Sequence, residues 1–261
     1  MRIDGICYHA DLSEGGEVAT LPAVCHARPM AEEYPMRINK YLAMKGLSTR
    51  KEADVLIAKG LVLINGKKAV LGQKVSEVDI VEVRGKKRTY RYIAFNKPHG
   101  VVTHTPQYGE KSALESANLS GVFPVGRLDK RSSGLLILTD DARVTDRLLN
   151  PKFVHEKEYQ VSAKADLPTR FKDRMERGVN IEGYMTKQCK VTILSDRSFR
   201  MTLTEGKKHQ IRRMCAALGV DIAHLERIRI MNIKLAGLKV GENRKLSGEE
   251  LVQFLKALRL T

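Results

Sequence analysis

Along this chain, segments of strand character arrive in neighbouring pairs with few helices between them, and that spacing limits the fold more than any single motif does. Strands are expected at 134–139, 157–163, 187–194, 198–204 and 228–235, after a short one that reaches Lys97-Pro98. Helices are expected near 143–149, 168–177, 208–218 and 248–258. A doubly wound parallel sheet needs a crossover helix between most of its strands, so the pattern predicts an α+β fold with a largely antiparallel mixed sheet flanked by helices. Ile211, Met214, Cys215 and Leu218 share one face of the third helix. Leu251, Phe254, Leu255 and Leu258 repeat that spacing in the last, behind a Ser247-x-x-Glu250 capping box.

Charge says what such a fold meets. Lys and Arg number 46 against 30 Asp and Glu, a formal +16, a surplus that suits a polyanion. The surplus is uneven: residues 1–35 carry −4 and residues 36–261 carry +20. The first segment lacks a hydrophobic period and reads as a flexible leader. Apolar runs such as "LVLI" and "GLLIL" fall far short of the roughly 20 residues of a spanning helix. The N-terminus does not read as a signal peptide, so a cytoplasmic location is expected. Cys7, Cys25, Cys189 and Cys215 form no C-x-x-C pair and are expected as reduced thiols, the last two buried. The seven His residues share no tight ligand spacing, and no phosphate-loop, dinucleotide or zinc signature occurs. Neither a metal nor another cofactor is therefore expected.

Residues 36–84 read as a small basic module. Ile38, Tyr41 and Leu42 mark a short helix that Gly46 can end. Thr49-x-x-Glu52 is a capping box for a second helix, which Gly60 closes. "LVLI", Asn65-Gly66 and "KKAVL" then form a strand, a tight turn and a strand. Arg37, Lys40, Lys45, Arg50 and Lys51 are left mostly exposed. With "RINKYLA", "GLSTRKEA", "LIAKGLVLINGK" and "VDIVEV" in this order, the module resembles the S4 RNA-binding domain. The resemblance implies structured RNA as partner, bound through Arg37, Lys40, Arg50 and Lys51; charge alone implies only a polyanion.

Residues 85–261 would then form a catalytic domain. In "FPVGRLDKRSSGLLILTDD" a single carboxylate, Asp129, sits among Arg127, Lys130 and Arg131. On its own such a tripeptide is an ordinary turn with an ion pair. The longer pattern G-R-L-D-x-x-S-S-G-L-L-I-L-T-x-D, followed by "HEKEYQV", "TEGKKHQIRRMCAALG" and "LERIRIMNIKL", resembles the RsuA-type pseudouridine synthases of ribosomal RNA, with wording nearest the F-type members that modify large-subunit RNA. That resemblance implies isomerisation of uridine without a cofactor, Asp129 as nucleophile at C6 of the base or C1′ of the sugar, and Arg212 set against Asp129. It further implies Tyr159 stacked on the uracil, Leu225 packed beneath it and Arg127 filling the gap when the nucleotide leaves its stack. Each has a plainer reading: a phosphate-binding Arg212, a packed Tyr159, a core Leu225 and a salt-bridged Arg127. His209 stands where RsuA-type members often have Arg, a change that touches no proposed catalytic role. The implied target is 23S ribosomal RNA, acted on by a monomer. The alternatives are a 16S or transfer RNA target and a noncatalytic S4-type assembly factor, which would have no need of a carboxylate in a basic cleft.

Overall fold

The computed structural model describes residues 34–84 and 89–260. The expected leader, except for its last two residues, lies outside them.

The basic module comprises β1 Met36–Arg37, α1 Ile38–Met44, α2 Arg50–Ala58, β2 Val62–Ile64, β3 Lys67–Lys68, β4 Lys74–Val75 and β5 Val81–Val83. Local signals build it. Thr49 and Glu52 exchange both bonds of a capping box at the start of α2. Gly46 and Gly60 follow the two helices at φ +70° and +67°, a region open to glycine without a Cβ penalty. Asn65 and Gly66 turn β2 into β3 with positive φ at both positions, as a two-residue hairpin requires. The module rests on the remainder of the chain at the end of its first helix, where two carbonyls accept from arginines: Arg147 Nη2 reaches O of Met44, the last helical residue, at 2.6 Å, and Arg143 Nη1 reaches O of Gly46, just beyond it, at 2.5 Å.

The rest runs β6 Tyr92–Lys97, α3 Ala113–Ala117, β7 Phe123–Val125, β8 Ser133–Thr139, α4 Arg143–Leu149, β9 Lys157–Ala163 and α5 Phe171–Glu176. It continues β10 Asn180–Ile181, β11 Tyr184–Met185, β12 Lys190–Ser195, β13 Ser198–Leu203 and α6 Gln210–Ala217. Then come β14 Ile222–Ile230, β15 Ile233–Lys234, β16 Asn243–Lys245 and α7 Gly248–Ala257. The main sheet has the order β12-β13-β9-β14-β8-β6-β16, with β7 on β8 and β15 on β14. Only β8 and β14 run parallel, so the sheet is mixed and largely antiparallel. The central strand β8 is buried throughout. Leu135 and Ile137 pack with α4 and α7 on one face, and Leu136 and Leu138 with α3 on the other, which is why its text is apolar without alternation. Further along the sheet, α5 and α6 cover Val161, Phe199, Met201 and Leu225.

Three expectations are corrected. The strand placed at 228–235 begins earlier, at Ile222, and breaks at Met231, whose φ of +52° turns the chain into β15. Polar His224 and Glu226 hide its start, and Ile228, Ile230 and Ile233 carry the apolar signal across the turn. The Ser247 side chain caps nothing, because Glu250 is drawn to Arg244, with oxygens 2.6 and 2.8 Å from its two terminal nitrogens. A bidentate charged pair outweighs a neutral cap. Cys215 is buried and burial pushes its thiol up to about 12, whereas Cys189 is only partly buried.

Candidate active site

The edge of β8 changes partner partway along its length. Antiparallel β7 pairs with residues 137–139, while parallel β14 pairs with Ser133 and Gly134. The loop from β7 to β8 turns at this change, and Asp129 sits on it with about a third of its side chain exposed. Gly134 makes the parallel approach possible: at φ +104°, a Cβ there would lie 2.4 Å from the Arg227 carbonyl. Arg227 fills the gap from the β14 side. It is 4% exposed, and its Nε donates to Leu135 O at 2.7 Å and its Nη1 to Arg127 O at 3.4 Å.

The segment after β6 supports the loop from beneath. Thr103 Oγ1 donates to Leu128 O at 2.6 Å and accepts from Leu128 N at 3.0 Å, and Gly100 N donates to Lys130 O at 2.8 Å. Lys97 ends β6 fully buried, with Nζ on the carbonyls of Pro98 and Val101 at 2.9 and 2.7 Å. Burial pulls its ammonium down to about 8 from the usual lysine range; the Asp129 carboxylate opposes that shift and the Arg227 cation adds to it.

Of the residues singled out in the sequence, Tyr159 and Leu225 meet on one sheet face. Tyr159 is opposite Arg227 and Val161 opposite Leu225 in the β9–β14 register, so all four project to the side covered by α6. Tyr159 is partly buried against the core there, and Leu225 is 4% exposed. Arg212, on α6, is close enough for Asp129 to hold its guanidinium charge against the downward pull of burial. Its hydrogen bonds go elsewhere: Nη2 donates to Arg131 O at 2.6 Å and to Ser132 Oγ at 3.3 Å. The side chain within ion-pair reach of Asp129 is His209, with Nε2 3.3 Å from Oδ1. Arg127 is exposed and has no ion pair among the described residues. Arg37, Lys40, Arg50 and Lys51 are all exposed on the basic module.

Lys97, Arg227 and His209 were not anticipated at this site. For Lys97 a signal existed, a lysine closing a strand of otherwise core-like text; for Arg227 and His209 only the register and the helix start reveal it. Arg212 Nε and Arg227 Nη2 are both buried and lack hydrogen-bond partners. Buried donors are rarely left so, and these two suit a polar ligand that brings acceptors. Among the described residues no cluster of side chains is suited to hold a metal.

A sequence profile described as RNA pseudouridylate synthase matches residues 91–217, and an S4 domain profile matches residues 36–81. The dual-specificity RNA pseudouridine synthase RluF of Escherichia coli (strain K12) is 39% identical over 236 residues, covering 88% of this chain and 81% of that protein. This chain belongs to the RsuA-type RNA pseudouridine synthases. An uncharacterized RNA pseudouridine synthase of Aquifex aeolicus is 37% identical, covering 86% of this chain and 96% of that one. The ribosomal large subunit pseudouridine synthase B of Bacillus subtilis is 34% identical, with 85% and 96% covered. A crystal structure of a pseudouridylate synthase superposes with a TM-score of 0.61 at 28% identity, covering 85% of this chain and 99% of that one. The enzyme is thus an isomerase acting on uridine in RNA, built from an S4 domain and a pseudouridine synthase fold. No described helix is long and apolar enough to cross a membrane.

Proposed function

We propose that the enzyme converts a uridine of large-subunit ribosomal RNA to pseudouridine with Asp129 as nucleophile, acting as a monomer in the cytoplasm. The observation that carries this is a partly exposed carboxylate at a loop apex among Lys97, His209 and Arg212. An ionised carboxylate in a basic cleft is costly to RNA binding unless the chemistry uses it. The large-subunit target is supported by the F-type wording and by the named activity of the Bacillus subtilis relative.

The reaction breaks N1–C1′, turns the base and forms C5–C1′; the proton on C5 leaves and N1 gains one, so no atom is added or lost. Asp129 either takes C1′ from the departing uracil or adds to C6, and in both cases its carboxylate must be ionised. Tyr159, on the face it shares with Leu225, is suited to lie against the uracil ring, with Leu225 beneath. The free donors of Arg212 and Arg227 are suited to uracil carbonyls or a phosphate. Arg127, exposed next to the loop apex, would replace the extruded nucleotide in its stack, an extrusion that costs a few kcal/mol. Arg37, Lys40, Arg50 and Lys51 would hold the surrounding RNA by its phosphates.

The test uses ribosomal RNA from a strain lacking the gene, with pseudouridine mapped by carbodiimide-stop primer extension and binding measured in parallel. Wild type is expected to leave a discrete mark in 23S RNA. Asp129→Asn is expected to lose at least about a thousandfold in rate while still binding. Tight binding by both proteins with no mark in any RNA would replace this reading with the assembly-factor one.

A further inference from the structure

We infer that His209 is a positioning residue for Asp129, its Nε2 holding Oδ1 so that the second carboxylate oxygen is presented to the uridine. The inference rests on the reading of Asp129 as nucleophile. Of the basic side chains near the site, His209 alone among the described residues comes within ion-pair distance of the carboxylate, at 3.3 Å. Arg212 gives its hydrogen bonds to Arg131 O and Ser132 Oγ, and Lys97 gives its own to Pro98 O and Val101 O. Those cations meet Asp129 only through space, which leaves its rotamer free. A carboxylate one-third exposed needs a direct contact to be held in one orientation.

The backbone around His209 is built to deliver that contact. His209 begins α6 at φ +52°, a conformation uncommon for residues other than glycine and one in which His is enriched. The approach to it is anchored on Glu205. That carboxylate takes the Tyr184 hydroxyl at 2.6 Å, Lys187 N at 2.9 Å and Gln210 Nε2 at 2.6 Å, and Gln210 Oε1 in turn accepts from Lys207 N at 2.8 Å. His209 therefore stands on a segment tied down on both sides. Asp129 also interacts with Lys97 at the end of β6 and with Arg212 of α6, and Arg127, Lys130 and Arg131 flank it in its own loop.

Two measurements on the full-length enzyme test this. The first is the nitrogen-15 resonance of His209 Nε2 at one fixed pH, in wild type and in Asp129→Asn, and loss of the carboxylate 3.3 Å away is expected to move it. The second is single-turnover rate at saturating ribosomal RNA. His209→Asn suits the positive φ but is too short to reach Asp129, and is expected to slow the step about tenfold or more with RNA affinity within about threefold of wild type. His209→Arg, which restores a donor of sufficient reach, is expected to recover most of the rate. An unmoved Nε2 resonance in Asp129→Asn, or a His209→Asn defect confined to RNA affinity, overturns the inference. If Asp129→Asn itself retains the wild-type rate, the nucleophile reading fails, a result separable from either of these.

Discussion

The S4 domain and the synthase domain are both basic, yet they keep their cations in opposite surroundings. Arg37, Lys40, Arg50 and Lys51 face water, while Lys97 is fully buried and Arg227 nearly so. An exposed cation keeps its charge at no desolvation cost and binds RNA phosphates by releasing counterions. A buried one is expensive and must be held by carbonyls and a nearby anion, as Lys97 is by Pro98 O, Val101 O and Asp129. The difference teaches that the net charge of the chain has two jobs. In the proposed function most of it would gather RNA, and a small buried part would organise one carboxylate.

Breaking the second arrangement should do most damage. Gly134→Ala forces a Cβ against the Arg227 carbonyl at a φ of +104° and separates β8 from β14. It is expected to cost about 3 kcal/mol or more, read by urea unfolding, and to abolish activity through loss of the sheet. Lys97→Met keeps the volume and removes the charge. A rate loss of about a hundredfold at saturating RNA is expected, with little change in RNA affinity. A change confined to affinity would instead place Lys97 with the S4 cations.

The same lysine separates the domains by pH. Its folded value, about 8, lies below the ordinary lysine value, so between the two the unfolded chain binds the proton that the folded one has lost. Burying the charged form therefore weakens the fold below pH 8, and wild type should gain stability relative to Lys97→Met as pH rises above it. Activity should move the other way, falling as the charge beneath Asp129 disappears. Urea midpoints and single-turnover rates from pH 7 to pH 10 measure both.

Two smaller effects sharpen the S4 side. Arg50→Ala with Lys51→Ala should weaken RNA binding without changing the saturated rate, and should reduce the slope of log affinity against log salt by about 1.5. Thr49→Ala removes the capping bond to Glu52 N and should cost about 1 kcal/mol by thermal unfolding, with the rate at saturating RNA unaltered.

How far each domain can be read without coordinates follows the same division. In the S4 domain the Thr49 cap, the Asn65-Gly66 turn and the closing glycines act within a few residues, so local text is enough. At Ser247 similar text misleads, because Glu250 has Arg244 as a better partner across a turn. The strand at 222–230 is obscured because its period is interrupted by residues that answer to neighbouring strands.

By itself, the sequence determined the mixed sheet, the basic, polyanion-facing character and the loop that carries Asp129, because these follow from hydrophobic period, charge and turn chemistry along the chain. It could not say which cation would touch that carboxylate. Arg212 is the motif's candidate, but His209 makes the contact, and Lys97 and Arg227 enter from strands 30 or more positions away. The tertiary structure decided this through the partner change along β8. Strand register and the close approach that Gly134 permits determine which side chains share a low-dielectric space with Asp129, and electrostatics depends on that distance and burial rather than on position in the chain.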